Sequence, residues 1–261
     1  MRYLCLAIVF SSIILSCGGD DDKDIDDNQN NDEEFSGSGA FVHNVSRSND
    51  DLSMIVYFHI PDGNVETMPV LFVFHGNGRN ATAIRNAWID EANAKKFIVV
   101  APEFSDADFP GGDGYILGNV FQDGDNPSLS TLNPEEDWAF SLVEPLFDEI
   151  KSKTNNTSST YDIFGFSAGA QFAHRFMMFK PNARFDKIVA SAAGWYTIPD
   201  AYITFPYGID QSPIADVAPS SYFSADLTLQ IGTLDNDPNS PALRRNSVVD
   251  QQGNNRYDRA F

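Results

Sequence analysis

Hydrophobic residues in this chain fall into short continuous runs, separated by stretches with helical spacing. Residues 54–60 (MIVYFHI) form a β-rich run that stops at Pro61, Asp62, Gly63 and Asn64, a turn composition. Residues 69–75 (PVLFVFH) and 97–101 (FIVVA) are almost wholly apolar, the pattern of strands buried on both faces of a parallel sheet. Between them Ala83, Ile84, Ala87, Trp88 and Ala92 recur at helical spacing and predict a helix over 81–96. A second helix is expected over 134–153, which opens Pro-Glu-Glu-Asp and closes Lys-Ser-Lys, the charge order that a helix dipole favours. A strand over 161–166 runs directly into a helix over 167–179, and short strands follow at 187–193 and 227–232. Strands alternating with helices predict an α/β domain, a mostly parallel sheet with helices on both faces.

Two long stretches, 103–133 and 194–225, show neither period and are rich in Gly, Pro, Asp and aromatics. Loops of this length in a compact domain are usually functional or disordered. Each follows an expected strand, where open α/β sheets place their ligands.

The N-terminus follows a different logic. Arg2 precedes an apolar run over 4–15 that is too short to span a bilayer but suits a secretory signal. Residues 14–17 (ILSC) resemble a lipobox, the site at which bacterial lipoproteins are lipidated and cut. The expectation is a signal peptide over 1–16, lipidation at Cys17, and a disordered acidic tether over 17–40 ending in a Ser-Gly-Ser-Gly hinge. The protein would then be exported and anchored by lipid to the cell envelope, at the outer membrane or cell surface. The membrane would be met through that anchor alone. The domain itself would occupy 41–261.

Charge fits this division. The chain of 261 residues has 37 acids and 17 bases, a net charge of −20. Nine of the acids and one base lie between Gly18 and Glu34, leaving 28 acids against 15 bases from Phe35 onward. An acidic domain argues against a nucleic-acid partner, because phosphates require Lys and Arg. The only cysteines are Cys5 and Cys17, so the domain beyond them carries no thiol chemistry and no internal disulfide. No metal or cofactor is expected: the acidic run lacks the spacing of a calcium loop, and the clusters at Asp123–Asn126 and Asp235–Asp237 suit turns.

Three short motifs carry the candidate chemistry. Residues 165–169 (GFSAG) place Ser167 between an expected strand and helix, where a tight turn pushes the serine oxygen outward and flanking glycines make room. Residues 75–78 (HGNG) end an earlier strand, and a turn of this kind can present backbone amides to an oxyanion. Gly76 and Asn77 are the candidates there, with Ala168 as the second donor after the nucleophile. His75 fits a role in fixing that loop. Residues 232–235 (GTLD) end the last expected strand and offer Asp235 as the acid of a triad, with Asp237 as its competitor.

On these motifs the chain resembles an α/β-hydrolase, and most resembles secreted esterases similar to polyhydroxybutyrate depolymerases and feruloyl esterases. The resemblance covers about residues 69–235. It implies a serine esterase, without cofactor, using Ser167, Asp235 and a histidine. The family places that histidine after the acid and one further strand, yet His43, His59, His75 and His174 all precede Asp235. His174 stands seven residues beyond Ser167 on one helix, about 10 Å along its axis and out of reach. The expectation is a C-terminally incomplete hydrolase domain, with its last strand and histidine loop missing; the alternative is a hydrolase-like module that binds glycan or peptide. The expected activity is cleavage of polyester, phenolic or acylated-glycan esters by a monomeric protein. Gly78, Tyr115 and Trp195 would shape the cleft, and a peptidase of the same fold is not separable from an esterase on this basis.

Overall fold

In the computed structural model the described residues are 35–48 and 51–261. The expected signal peptide, Cys17 and nearly all of the expected tether lie outside them.

Among the described residues seven strands form one sheet in the order β1-β2-β4-β3-β5-β6-β7. They are β1 (Gly37–Ser46), β2 (Asp51–Ile60), β3 (Val70–Phe74), β4 (Ile98–Pro102), β5 (Tyr161–Phe166), β6 (Phe185–Ser191) and β7 (Asp226–Gln230). β1 and β2 pair antiparallel over ten residues, from Gly37 opposite Ile60 to Ser46 opposite Asp51, and β2 pairs antiparallel with β4. From β4 to β7 every pairing is parallel. The expected α/β class with a mostly parallel sheet is what the structure shows.

Among the described residues five α-helices lie between strands, α1 (Ala81–Ala87), α2 (Ile89–Lys95), α3 (Gly111–Gly114), α4 (Val143–Thr154) and α5 (Ala168–Phe179), and α6 (Arg256–Arg259) follows the last strand. Alternation along β3 explains how both faces are covered. Val70, Phe72 and Phe74 point to one side, into a core shared with Leu146, Phe147 and Ile150 of α4 and Phe172 and Phe176 of α5. Val73 points to the other side, against Ala81 of α1 and Ala92 of α2. Fully burying one such large apolar side chain stabilises the fold by about 1.5–3 kcal/mol.

Three elements differ from their sequence expectation. β1 begins at Gly37, so the glycines of the expected hinge enter the sheet; a β-carbon on Gly39 would lie 2.5 Å from the Phe58 ring. The helix over 81–96 is broken at Trp88, whose amide bonds back three residues to Arg85 O. α4 starts at Val143, nine residues after its expected start, behind two short 3-10 turns. Pro145 explains this: without an N–H, and with a ring that clashes four residues back, it is tolerated only in a first turn.

The topology fixes where a site can form. From β3 the chain moves outward to β4 on one side, and later enters β5 on the other side. β3 and β5 are therefore neighbours at the point where strand order reverses, and a crevice opens at their carboxyl ends. His75 and Gly76 follow β3, and Ser167 follows β5. Among the described residues no helix is long and apolar enough to cross a membrane.

Candidate active site

Ser167 stands between β5 and α5 with φ 54° and ψ −110°, a left-handed conformation that costs a non-glycine residue about 1–3 kcal/mol. The surrounding structure imposes it. The Ser167 amide donates to Ser191 O on β6 at 2.8 Å, and its carbonyl accepts from the Gln171 amide as the helix begins. The two glycines of the motif serve close approach. A β-carbon on Gly165 would meet Gly169 O at 2.2 Å, and one on Gly169 would meet Phe74 O at 2.1 Å and His75 O at 2.8 Å. The helix carrying Ser167 is thus pressed against the end of β3.

That contact brings the second motif to the first. A β-carbon on Gly76 would lie 3.6 Å from Ser167 Cβ. The turn holding Gly76 is fixed from inside. Phe104 N–H donates to His75 Nε2 at 3.0 Å, so the ring proton sits on Nδ1 and is donated to Gly76 O at 3.0 Å. The Arg79 amide also donates to Gly76 O, at 3.1 Å. Both bonds hold that carbonyl toward His75 and Arg79. In a trans peptide the next N–H points the opposite way, so the Asn77 amide is turned outward. Among the described residues it meets no acceptor, and neither does the Ala168 amide at the first position of α5. Asn77 and Gly78 are exposed. Burial holds the His75 pKa down to about 4, so the ring is neutral at ordinary pH and holds the loop rather than moving protons.

Tyr115 and Trp195, expected on the cleft, are buried instead. Tyr115 is fully buried, donates its hydroxyl to His75 O at 2.8 Å and packs its ring 4.8 Å from the His75 ring. It supports the turn from behind. Trp195 is 3% exposed and has two guanidinium groups over its ring, Arg175 at 4.1 Å and Arg244 at 5.1 Å from the ring centre. It fastens the loop after β6 to α5. Both burials have the same cause: a large ring beside a cation or a backbone carbonyl gains more from packing than from lining a wet rim.

Asp235 is half-buried, and its carboxylate pairs with Arg256 Nη1 on α6 at 2.9 Å. Asp237 is exposed and accepts from the Asn239 amide within its own turn. The histidines are all engaged away from Ser167. His43 Nδ1 pairs with Glu149 at 2.5 Å, His59 bonds Ser38 and Asn93, and His174 donates to Ala170 O and accepts from the Thr197 amide. Burial and the neighbouring Arg175 hold the His174 pKa well below the usual imidazole range. Among the described residues no side chain bonds the Ser167 hydroxyl, and no cluster of three or more His, Cys, Asp or Glu is placed to hold a metal.

Sequence reasoning missed Arg79, Arg175 and Arg256. None belongs to a recognisable motif, because their partners are mostly carbonyls, rings and a distant acid. A mostly apolar cavity of about 540 Å³ runs along α5, the loop after β6 and β7, lined by His174, Tyr196, Tyr222 and Leu229 among others. Ser167 is not among its lining residues, so it is separate from the serine and the turn.

Comparison with known proteins finds relatives of the same fold. The chain is similar to the solved structure of poly(aspartic acid) hydrolase-1 from Sphingomonas sp. KT-1, with 38% identity and a TM-score of 0.79. That match covers 86% of this chain and 82% of the other. It is similar also to a poly(3-hydroxybutyrate) depolymerase from Bordetella parapertussis, with 28% identity, a TM-score of 0.77, and coverage of 88% and 76%. A siderophore hydrolase from Aspergillus nidulans, at 14% identity and a TM-score of 0.51 over 86% of this chain and 78% of its own, shares the fold. No protein-family model matches the chain, and neither does any curated protein.

Proposed function

The chain belongs to the α/β-hydrolase superfamily, and we propose that it is a serine hydrolase of carboxylic esters with Ser167 as nucleophile. The observation that carries this reading is the meeting of two motifs 91 residues apart: the strained Ser167 stands against Gly76 at the mouth of an amide-bearing turn. Attack of the Ser167 oxygen on a carbonyl carbon would place negative charge on the carbonyl oxygen. The outward amides of Asn77 and Ala168 are the donors for that charge, each worth about 3–4 kcal/mol in comparable sites. Asp235 is the candidate to orient the base, which none of the four engaged histidines supplies.

The named neighbours support a polymer as substrate. Poly(aspartic acid) is joined by amides and poly(3-hydroxybutyrate) by esters, and one serine with one oxyanion turn can serve both. We assign the ester first, with phenolic and acylated-glycan esters in the same class, and the amide as the alternative. The same reading includes export and lipid attachment at Cys17, so that the enzyme meets its substrate outside the cell.

A fluorophosphonate reporter tests the chemistry. Labelling at Ser167 is expected to be slow and to rise when imidazole is added as an external base. A label that imidazole does not raise above the Ser167→Ala background rejects the nucleophile. A second reading, a hydrolase-like binding module, is favoured by the Asp235–Arg256 ion pair, and that null result is its signature.

A further inference from the structure

The turn that faces Ser167 is held at its far end by one side chain. Arg79 has φ 55°, and its amide closes the turn onto Gly76 O. Its guanidinium then reaches away into the stretch after β4. Nη1 donates to Phe104 O at 2.6 Å, and Nη2 donates to Phe109 O at 3.0 Å and Gly111 O at 2.8 Å. Asp106 supplies a carboxylate at 3.3 Å. The plane lies over the Tyr115 ring at 4.6 Å, and that tyrosine in turn bonds His75 O. Only 11% of the side chain is exposed.

Each of these partners lies in residues 104–115. The same stretch supplies Phe104 N–H to His75. The turn is therefore gripped at both ends by one loop: His75 at its entry and Arg79 at its exit. Between the two grips only Gly76, Asn77 and Gly78 remain, and they include the outward amide. A β-carbon at Gly78 would meet nothing within 4 Å, so little else packs on the turn there. If the exit were released, the Gly76–Asn77 peptide would keep only the His75 bond and could rotate.

We propose that Arg79 is a positioning residue of the oxyanion turn, stapling it to the loop after β4 so that the Asn77 amide keeps its aim toward Ser167. This rests on the serine hydrolase reading for its chemical consequence, but not for the staple itself. The planar fork is what the job requires: four acceptors spread over three carbonyls and one carboxylate suit a guanidinium and not a point charge. Arg79→Lys should behave nearly as badly as Arg79→Ala.

Two measurements separate the staple from the chemistry. The first is amide hydrogen exchange. In Arg79→Ala the amide of residue 79, which closes the turn, should exchange at least tenfold faster, while α5 amides keep their protection. Unchanged exchange at residue 79 overturns the proposal whatever the chemistry does. The second is the rate of fluorophosphonate labelling with imidazole. Arg79→Ala and Arg79→Lys should lower the maximal rate by about 10²-fold, the effect of one oxyanion donor. The reagent concentration for half-maximal rate should change less than threefold. Loss expressed only in that concentration overturns the positioning role. If the unsubstituted protein takes no label, the serine reading fails and the exchange result alone decides the staple. Retained protection of the α5 amides is the check against a simple folding defect.

Discussion

The carboxylate of Asp235 is bonded to Arg256 across 21 residues of chain, at 2.9 Å. The Tyr257 amide also donates to Asp235 O, so α6 holds this residue by both side chain and backbone. Arg256 thus occupies the carboxylate that a triad histidine would use. Arg256→Ala should free that group without unfolding the protein. An ion pair with both partners partly exposed contributes about 0.5–1 kcal/mol, readable as a small shift in a denaturant midpoint. Imidazole-assisted labelling of Ser167 should rise in the variant, because Asp235 could then orient the added base. A rate that does not rise removes Asp235 from the mechanism.

Glycine-to-alanine changes at two positions should have opposite outcomes. At Gly169 a β-carbon would overlap Phe74 O at 2.1 Å, a contact that backbone must move to relieve. Gly169→Ala should destabilise by about 3 kcal/mol by chemical denaturation, the upper range for overpacking. At Gly78 nothing stands within 4 Å and φ is not positive, so Gly78→Ala should lie within about 0.5 kcal/mol of the parent. Equal effects at the two sites would mean that the nucleophile helix does not press on β3 as described.

Burial of His75 makes stability depend on pH in a defined window. Its folded pKa of about 4 lies below the unfolded value of 6.5, so between these values the unfolded chain binds more proton. Stability is therefore complete above pH 6.5, is lost as pH falls toward 4, and loses no more from this group below that. The loss from pH 8 to pH 5 should be about 2 kcal/mol. His174 acts in the same direction. His75→Gln, compared with the parent by urea titration at both pH values, should remove that share of the slope. An unchanged slope would show that His75 titrates normally.

Tyr115→Phe removes one hydroxyl and keeps the ring. It leaves the His75 carbonyl without that donor, a cost of about 1–2 kcal/mol in a buried setting. Because the hydroxyl points at backbone and not into the crevice, substrate KM should stay within a factor of two while kcat falls. A selective rise in KM would return Tyr115 to the cleft.

The parts of this site that were legible in the chain are those whose requirement is local. A serine forced to φ 54° needs small residues two positions away on either side, and Gly165 and Gly169 record that need directly. Continuous apolar runs likewise marked β3 and β4. β1 was not legible, because its inward positions include His43 and glycines, which hide the alternation. Tyr115 and Trp195 were misplaced because an aromatic in a Gly- and Pro-rich stretch reads the same whether it lines a rim or packs beneath it. Arg79 was invisible for a further reason: its partners are mostly main-chain carbonyls, which every residue possesses.

The contact between Gly169 and the end of β3 has a consequence for inheritance. Phe74 O and His75 O stand so near Gly169 that no β-carbon fits there, and the serine elbow and the amide-bearing turn behave as one mechanical part built from two distant segments. Neither can be transplanted alone. A turn taken from another hydrolase would have to arrive with its own elbow, and descendants of this chain should gain or lose the pair together.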